Sequence, residues 1–136
     1  MANNKMPGFI VIDDDPVNNK ICSIIIQRLY PEIEILSFTD PEVALTHIEH
    51  VHQGENAHNT ILLLDINMPV LSGWDVLEHF KHLPQKIQSH FRIYILSSSV
   101  DVYDKRRAGD NEFVRGYIEK PLTLQRVEEL FAEANK

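Results

Sequence analysis

The stretch Ile61-Leu62-Leu63-Leu64-Asp65-Ile66-Asn67-Met68-Pro69 constrains the fold of this chain more than any other. An unbroken aliphatic run, closed by Asn67, Pro69 and Gly73, predicts a short strand buried on both faces. That is the environment of a parallel sheet. A carboxylate placed directly after such a run emerges at the C-terminal edge of the strand, where open α/β sheets bind their ligands. Alone, Asp65 would serve as well to start a turn before Pro69, so its meaning depends on what else reaches that edge.

Four more strands can be placed. Phe9-Ile10-Val11-Ile12 is an apolar run ending in Asp13-Asp14-Asp15, and Pro16 suits the first turn of a helix. Ile21, Ile24, Ile25 and Leu29 then recur at helical spacing, and Pro31 closes the segment. Ile33 and Ile35, running on to Phe38, predict a shorter strand. Asp40-Pro41-Glu42 opens a helix, with Asp40 as N-cap and Pro41 in the first position, that carries Val43, Ala44, Leu45 and Ile48. The polar stretch from His50 to Asn59 reads as a loop. After Gly73 a helix carries Val76, Leu77 and Phe80 and stops near Pro84. Arg92 to Leu96 forms a fourth strand ending in Ser97-Ser98-Ser99, and a short polar helix follows from Val102 to Arg107. Phe113 to Ile118 is a fifth strand ending in Glu119-Lys120-Pro121. A last helix from Leu122 to Ala134 puts Leu124, Val127, Leu130 and Phe131 on one face.

This alternation predicts a flavodoxin-like α/β fold: a doubly wound, five-stranded parallel sheet in the order 2-1-3-4-5, with helices on both faces. No repeat, linker or low-complexity tract interrupts it, so residues 1–136 are expected to form a single domain with a core from about 9 to 134.

Composition narrows the function. A net charge of −7 argues against direct nucleic-acid binding, which needs clustered Lys and Arg. The one basic run, Lys105-Arg106-Arg107, lies between Asp104 and Asp110 and reads as a solvated helix face. The apolar runs are too short to cross a membrane, and Met1 to Pro7 lacks the apolar core of a signal peptide. A cytoplasmic location is the resulting expectation. The single cysteine, Cys22, stands among isoleucines and reads as a small buried hydrophobe. His47/His50 and His79/His82 have a spacing that could present two metal ligands, but no third is near either pair, so both read as surface histidines.

In the predicted strand order, Asp13, Asp14, Asp15, Asp65, Ser97 and Lys120 converge on one edge of the sheet. Carboxylates so crowded repel one another unless positive charge sits among them. Lys120 is one source; a hard divalent cation is the other. An oxygen-only site with few protein ligands suits Mg²⁺. A carboxylate beside Mg²⁺, with a lysine and a hydroxyl close by, is equipped to attack phosphorus and form an aspartyl-phosphate.

The same residues carry a family resemblance. Asp13-Asp14 after the first strand, Asp65 in Leu-Leu-Asp-Ile-Asn-Met-Pro, Gly73, Ser97 and Lys120-Pro121 resemble the receiver domain of two-component response regulators, in particular the single-domain, chemotaxis-regulator-like kind. The likeness runs from about Phe9 to Ala134. It implies that Asp65 is the phosphoacceptor, and that Asp65, Lys120 and Ser97 carry the chemistry. Asp14 and Asp65 would bind Mg²⁺ directly, joined by the backbone carbonyl of Asn67, with Asp13 acting largely through water. Lys120 would pair with Asp65 and then with the phosphoryl group, while Ser97 turns its hydroxyl onto a phosphate oxygen. Tyr117 matches the family's switch aromatic. The donor histidine would belong to a partner histidine kinase or a histidine phosphotransfer protein. On this reading the chain is a signalling switch that catalyses its own phosphorylation and dephosphorylation, not an enzyme that turns over an external substrate. Asn67 and Ser99, two residues beyond Asp65 and Ser97, offer no obvious general base for hydrolysis.

The resemblance has departures: a long loop around His50 to Asn59, Asp110-Asn111-Glu112-Phe113 in place of a Gly-containing turn, and a short, polar fourth helix. Two other functions are weighed. One is a phosphorylation-independent, receiver-like interaction module, against which the intact acid set speaks. The other is a phosphohydrolase of the haloacid dehalogenase type, whose chemistry usually wants a second acid where this chain has Asn67.

Overall fold

A computed structural model describes residues 7–51 and 59–135 of the chain. Five strands, β1 (Gly8–Ile12), β2 (Ile35–Phe38), β3 (Thr60–Leu64), β4 (Phe91–Ser97) and β5 (Val114–Glu119), form one sheet in the order β2-β1-β3-β4-β5. All four pairings are parallel. The helices are α1 (Pro16–Leu29), α2 (Pro41–Val51), α3 (Gly73–Lys81), the single turn α4 (Gln85–Gln88), α5 (Val102–Asp110) and α6 (Leu124–Ala134). The expected doubly wound order is therefore the one the chain adopts.

The strand side chains divide by parity, as a pleated sheet requires. Ile10, Ile12, Leu62, Leu64, Ile93 and Ile95 pack with Ala44, Leu45 and Ile48 of α2, Val76, Leu77 and Phe80 of α3, and Ala108 of α5. Phe9, Val11, Ile61, Leu63, Tyr94 and Leu96 face the opposite way, against Cys22 and Ile26 of α1 and Val127, Leu130 and Phe131 of α6. Every residue of β3 is buried, which is why that run is apolar without alternation.

Several local expectations change. Of the four residues spaced along α1, Ile21 and Ile24 face outward, while Cys22 and Ile26 are fully buried. Burial pushes the Cys22 thiol up to about 12, as befits an inert core group. His50 lies within α2, not in a loop; residues 52–58 of that expected loop lie outside the described residues. The turn α4 after Pro84 is unforeseen, and α5 runs on to Asp110. The Gly-free connection into β5 closes because Asn111 supplies the turn: its Oδ1 accepts Phe113 N–H at 2.9 Å and its carbonyl accepts Val114 N–H. An irregular register between β4 and β5 leaves Arg115 as an extra residue between Val114, paired with Ile93, and Gly116, paired with Tyr94.

The local signals at the sheet's C-terminal edge are side-chain caps. Asp15 caps α1, Ser72 and Asp75 make a reciprocal capping box on α3, Asp101 caps α5 and Thr123 caps α6. Gly73 opens α3 directly against the backbone that follows Asp65. A Cβ there would lie 2.4 Å from the Asp65 carbonyl oxygen and 2.7 Å from Ile66 Cα. Neither atom can yield without moving β3's end, so Gly73→Ala should destabilise the fold by about 3 kcal/mol, as overpacking against fixed backbone does. Urea denaturation would show it as a lowered midpoint at unchanged slope; a midpoint within error of wild type would contradict the close approach.

Candidate functional site

Backbone bonds beyond the regular ladder tie the end of β1 to β2 and β3, and the end of β5 to β4. Asp13 N–H donates to the Phe38 carbonyl at 3.0 Å, Asp65 N–H to Ile12 at 3.0 Å and Lys120 N–H to Ser97 at 2.9 Å. These bonds fix the residues that follow each apolar run. The carboxylates of Asp13, Asp14 and Asp65 consequently each bring an oxygen to within 4.8 Å of the others. Asp13 and Asp65 are buried, at 1% and 6% exposure, whereas Asp14 faces solvent.

Lys120 is the positive charge among them. Its Nζ donates to Asp13 Oδ2 at 2.7 Å and stands 3.6 Å from Asp65 Oδ2. Burial pulls the lysine pKa down, but the hydrogen bond to Asp13 and the charges of Asp65 and Asp13 outweigh it, so the ammonium is held more firmly than usual. The Lys120–Pro121 peptide bond is cis. Asp65 shifts upward, chiefly through burial, with the nearby charge of Asp13 adding to the rise; Asn67 N–H on Oδ1 at 3.2 Å and Lys120 oppose it.

A single ammonium does not balance three carboxylates, two of them buried. All the donors are hard, anionic oxygens, and the side bearing Asp14 is open to solvent, so the set fits a Mg²⁺ ion that keeps several of its waters. Asn67, expected to offer its carbonyl, contributes its backbone N–H to Asp65 in this structure.

Ser97 is the last residue of β4 and is fully buried. Its Oγ accepts Ser99 N–H at 3.1 Å. The Ser99 Oγ accepts Asp101 N–H at 3.2 Å and donates to Asp104 on α5 at 2.6 Å, and Asp101 Oδ1 accepts Tyr103 N–H. Tyr117 donates its hydroxyl to the Ser99 carbonyl at 2.7 Å. Its ring lies beneath the Lys105 ammonium, 5.9 Å from the centroid, and Lys105 also pairs with Glu119. Ser97 and Tyr117 are thus joined through one residue, Ser99. The histidine pairs are engaged elsewhere: His82 contacts Glu78 at 3.3 Å, and the His47 ring packs on Phe38.

Two residues near the acids were not anticipated. Asn18 donates from Nδ2 to Asp13 Oδ2 at 2.8 Å, and Asn19 donates to the Asp13 carbonyl at 3.0 Å. Both lie in the first turn of α1 and are buried. Their only sequence signal is position, because Asn18 begins the stripe that continues inward through Cys22 and Ile26.

The upward shift of Asp65 has a consequence for stability. A carboxyl whose folded pKa is raised binds its proton more tightly in the folded state, so stability falls as pH rises through the ordinary carboxylate range towards the raised value. Above that value the penalty is complete. Asp65→Asn should therefore raise the thermal midpoint at neutral pH, without divalent cations, by about 3 °C for a domain of this size. The gain should vanish in acid, where Asp65 is protonated in both states. A midpoint that drops at pH 7 would show instead that the ionised Asp65 stabilises the fold.

The family model described as the response regulator receiver domain matches residues 9–132. A two-component response regulator from Cytophaga hutchinsonii superposes with a TM-score of 0.86 at 29% identity, covering 96% of this chain and 98% of that one. A response regulator receiver protein from Dyadobacter fermentans gives 0.85 at 25% identity, over 93% and 96%. Among curated proteins, stress response regulator protein 1 of Scheffersomyces stipitis is 30% identical over 83 residues, which is 61% of this chain and 27% of that protein's length. This chain belongs to the response regulator receiver family.

Proposed function

We propose that this receiver domain, one unit spanning the core from about residue 9 to 134, accepts a phosphoryl group on Asp65 and thereby switches its surface near Tyr117. The observation that carries the reading is the buried Asp65 carboxylate at the end of β3, with Lys120 3.6 Å away and Asp13 and Asp14 beside it. The donor is a phosphohistidine on a histidine kinase or phosphotransfer protein, or a small acyl phosphate. The domain acts as a signalling switch of a two-component or phosphorelay system in the cytoplasm, and it promotes its own modification.

An Asp65 oxygen attacks phosphorus while the bond from phosphorus to the donor breaks, and the donor's imidazole or carboxylate departs with that electron pair. Such a transfer is catalysed by positioning and by charge. Burial holds Asp65 still, and Lys120 supplies fixed positive charge next to the equatorial oxygens. Asp14, Asp65 and the Asn67 carbonyl would hold Mg²⁺, with Asp13 acting through water. The ion, when bound, neutralises phosphoryl charge.

Ser97 carries the outcome onward. Its hydroxyl accepts a hydrogen bond from Ser99 in this structure, and a phosphoryl oxygen is a stronger, charged acceptor for its proton. Turning towards it breaks the link to Ser99, whose carbonyl holds Tyr117. Tyr117 and α5 are therefore the elements biased by phosphorylation. The Ser99 hydroxyl is committed to Asp104, which agrees with hydrolysis proceeding without a side-chain base.

Intact mass after incubation with Mg²⁺ and acetyl phosphate tests the assignment. Wild type should gain one phosphoryl group, and Asp65→Asn none. Equal labelling of both would remove Asp65 from the role, and absence of both label and Mg²⁺ affinity would favour a phosphorylation-independent interaction module.

A further inference from the structure

Behind Asp13 sits a buried side chain to which the phosphoacceptor reading assigns no task. The inward stripe of α1 runs Asn18, Cys22, Ile26, and its first member is an amide where packing alone favours a hydrocarbon. Asn18 is 8% exposed, and its Nδ2 donates to Asp13 Oδ2 at 2.8 Å. Lys120 donates to that same oxygen at 2.7 Å. The other carboxylate oxygen, Oδ1, is taken separately by Asp15 N–H at 2.9 Å. Asp13 therefore holds two donors on one oxygen, one charged and one neutral. The charged one is closer to Asp13 than to Asp65, where phosphoryl charge would develop.

We infer that Asn18 is a positioning residue for Lys120: by keeping a neutral donor on Asp13 Oδ2, it lets the ammonium move from Asp13 to a phosphorylated Asp65. The inference rests on Asp65 being the acceptor. A buried carboxylate oxygen that loses its last donor bears a heavy desolvation cost. With Lys120 as the sole partner of Oδ2, the ammonium would be anchored to Asp13, and its shift towards Asp65 would strip that oxygen. With Asn18 in place the oxygen keeps one hydrogen bond throughout, so the shift trades one ion pair for another. Asn19, bonded to the Asp13 carbonyl, holds the backbone still during the exchange.

The test is a titration with beryllofluoride, a phosphoryl mimic, at saturating Mg²⁺, on wild type, Asn18→Leu and Asn18→Ala. Mg²⁺ affinity without the mimic and thermal midpoints are measured alongside. Leu keeps the volume without the donor; Ala removes the donor without risking overpacking. Either variant should bind beryllofluoride about five- to tenfold more weakly, the range that one hydrogen bond supports. Mg²⁺ affinity should stay near that of wild type, because Lys120 need not leave Asp13 completely until phosphoryl charge arrives. Unchanged beryllofluoride binding in a cooperatively folding Asn18→Ala would overturn the inference. So would an equal loss of Mg²⁺ and beryllofluoride binding, which would make Asn18 a plain structural support of the acids. Wild type failing to take beryllofluoride would instead overturn the Asp65 reading, and this inference with it.

Discussion

Two carboxylates buried side by side with one ammonium between them form the constraint on which the rest of this structure turns. Asp13 and Asp65 are nearly inaccessible, and Lys120 bridges them at 2.7 and 3.6 Å. Burying like charges together is unfavourable, and a hydrophobic fold would not keep such a cluster for stability's sake. The cost is borne by the two apolar layers that clamp the sheet, from Ile12 and Leu64 on one face to Val11 and Leu63 on the other. Parallel pairing of β1 with β3 sets the two acids next to each other, and the β5 end brings the lysine across. The site is thus a concentration of buried negative charge that further positive charge would relieve.

Much of this was legible in the sequence because strand ends are defined by chemistry that needs no tertiary context. An apolar run that stops at an acid or a lysine marks both the strand and its exit, and strand–helix alternation leaves few topologies for a chain of this length. Asp13, Asp14, Asp65, Ser97 and Lys120 all lie where that logic puts them. What escaped follows from ambiguity of phase and from polarity. The first helix has so many isoleucines that more than one face satisfies a helical period, and packing against α6 selects Cys22 and Ile26 over Ile21 and Ile24. The turn Gln85–Gln88 has no apolar pattern beyond Ile87. Asn18 and Asn19 look like solvated first-turn residues until the fold closes over them. The extra residue at Arg115 in β5 is a property of pairing with β4, which a single strand's sequence does not encode.

The segment from Ser97 to Tyr103 connects the buried end of β4 to the surface through side-chain hydrogen bonds. Three successive side-chain oxygens, of Ser97, Ser99 and Asp101, each accept the N–H two residues on. They stitch the end of β4 to the first turn of α5, while Ser99 also binds Asp104 and Tyr117. A loop tied at both ends by directional bonds has few intermediate arrangements. The Ser97, Ser99 and Asp101 side chains thus give this loop a local order that its composition alone would not suggest.

The most direct test of the account is chemical mapping of the modified residue. Wild-type protein phosphorylated with acetyl phosphate and Mg²⁺ is reduced with borohydride, which converts an acyl phosphate on aspartate to homoserine, and is then sequenced by mass spectrometry. Homoserine at position 65 is the predicted result. Reduction at Asp13, Asp14 or any other acid, with position 65 intact, would contradict it.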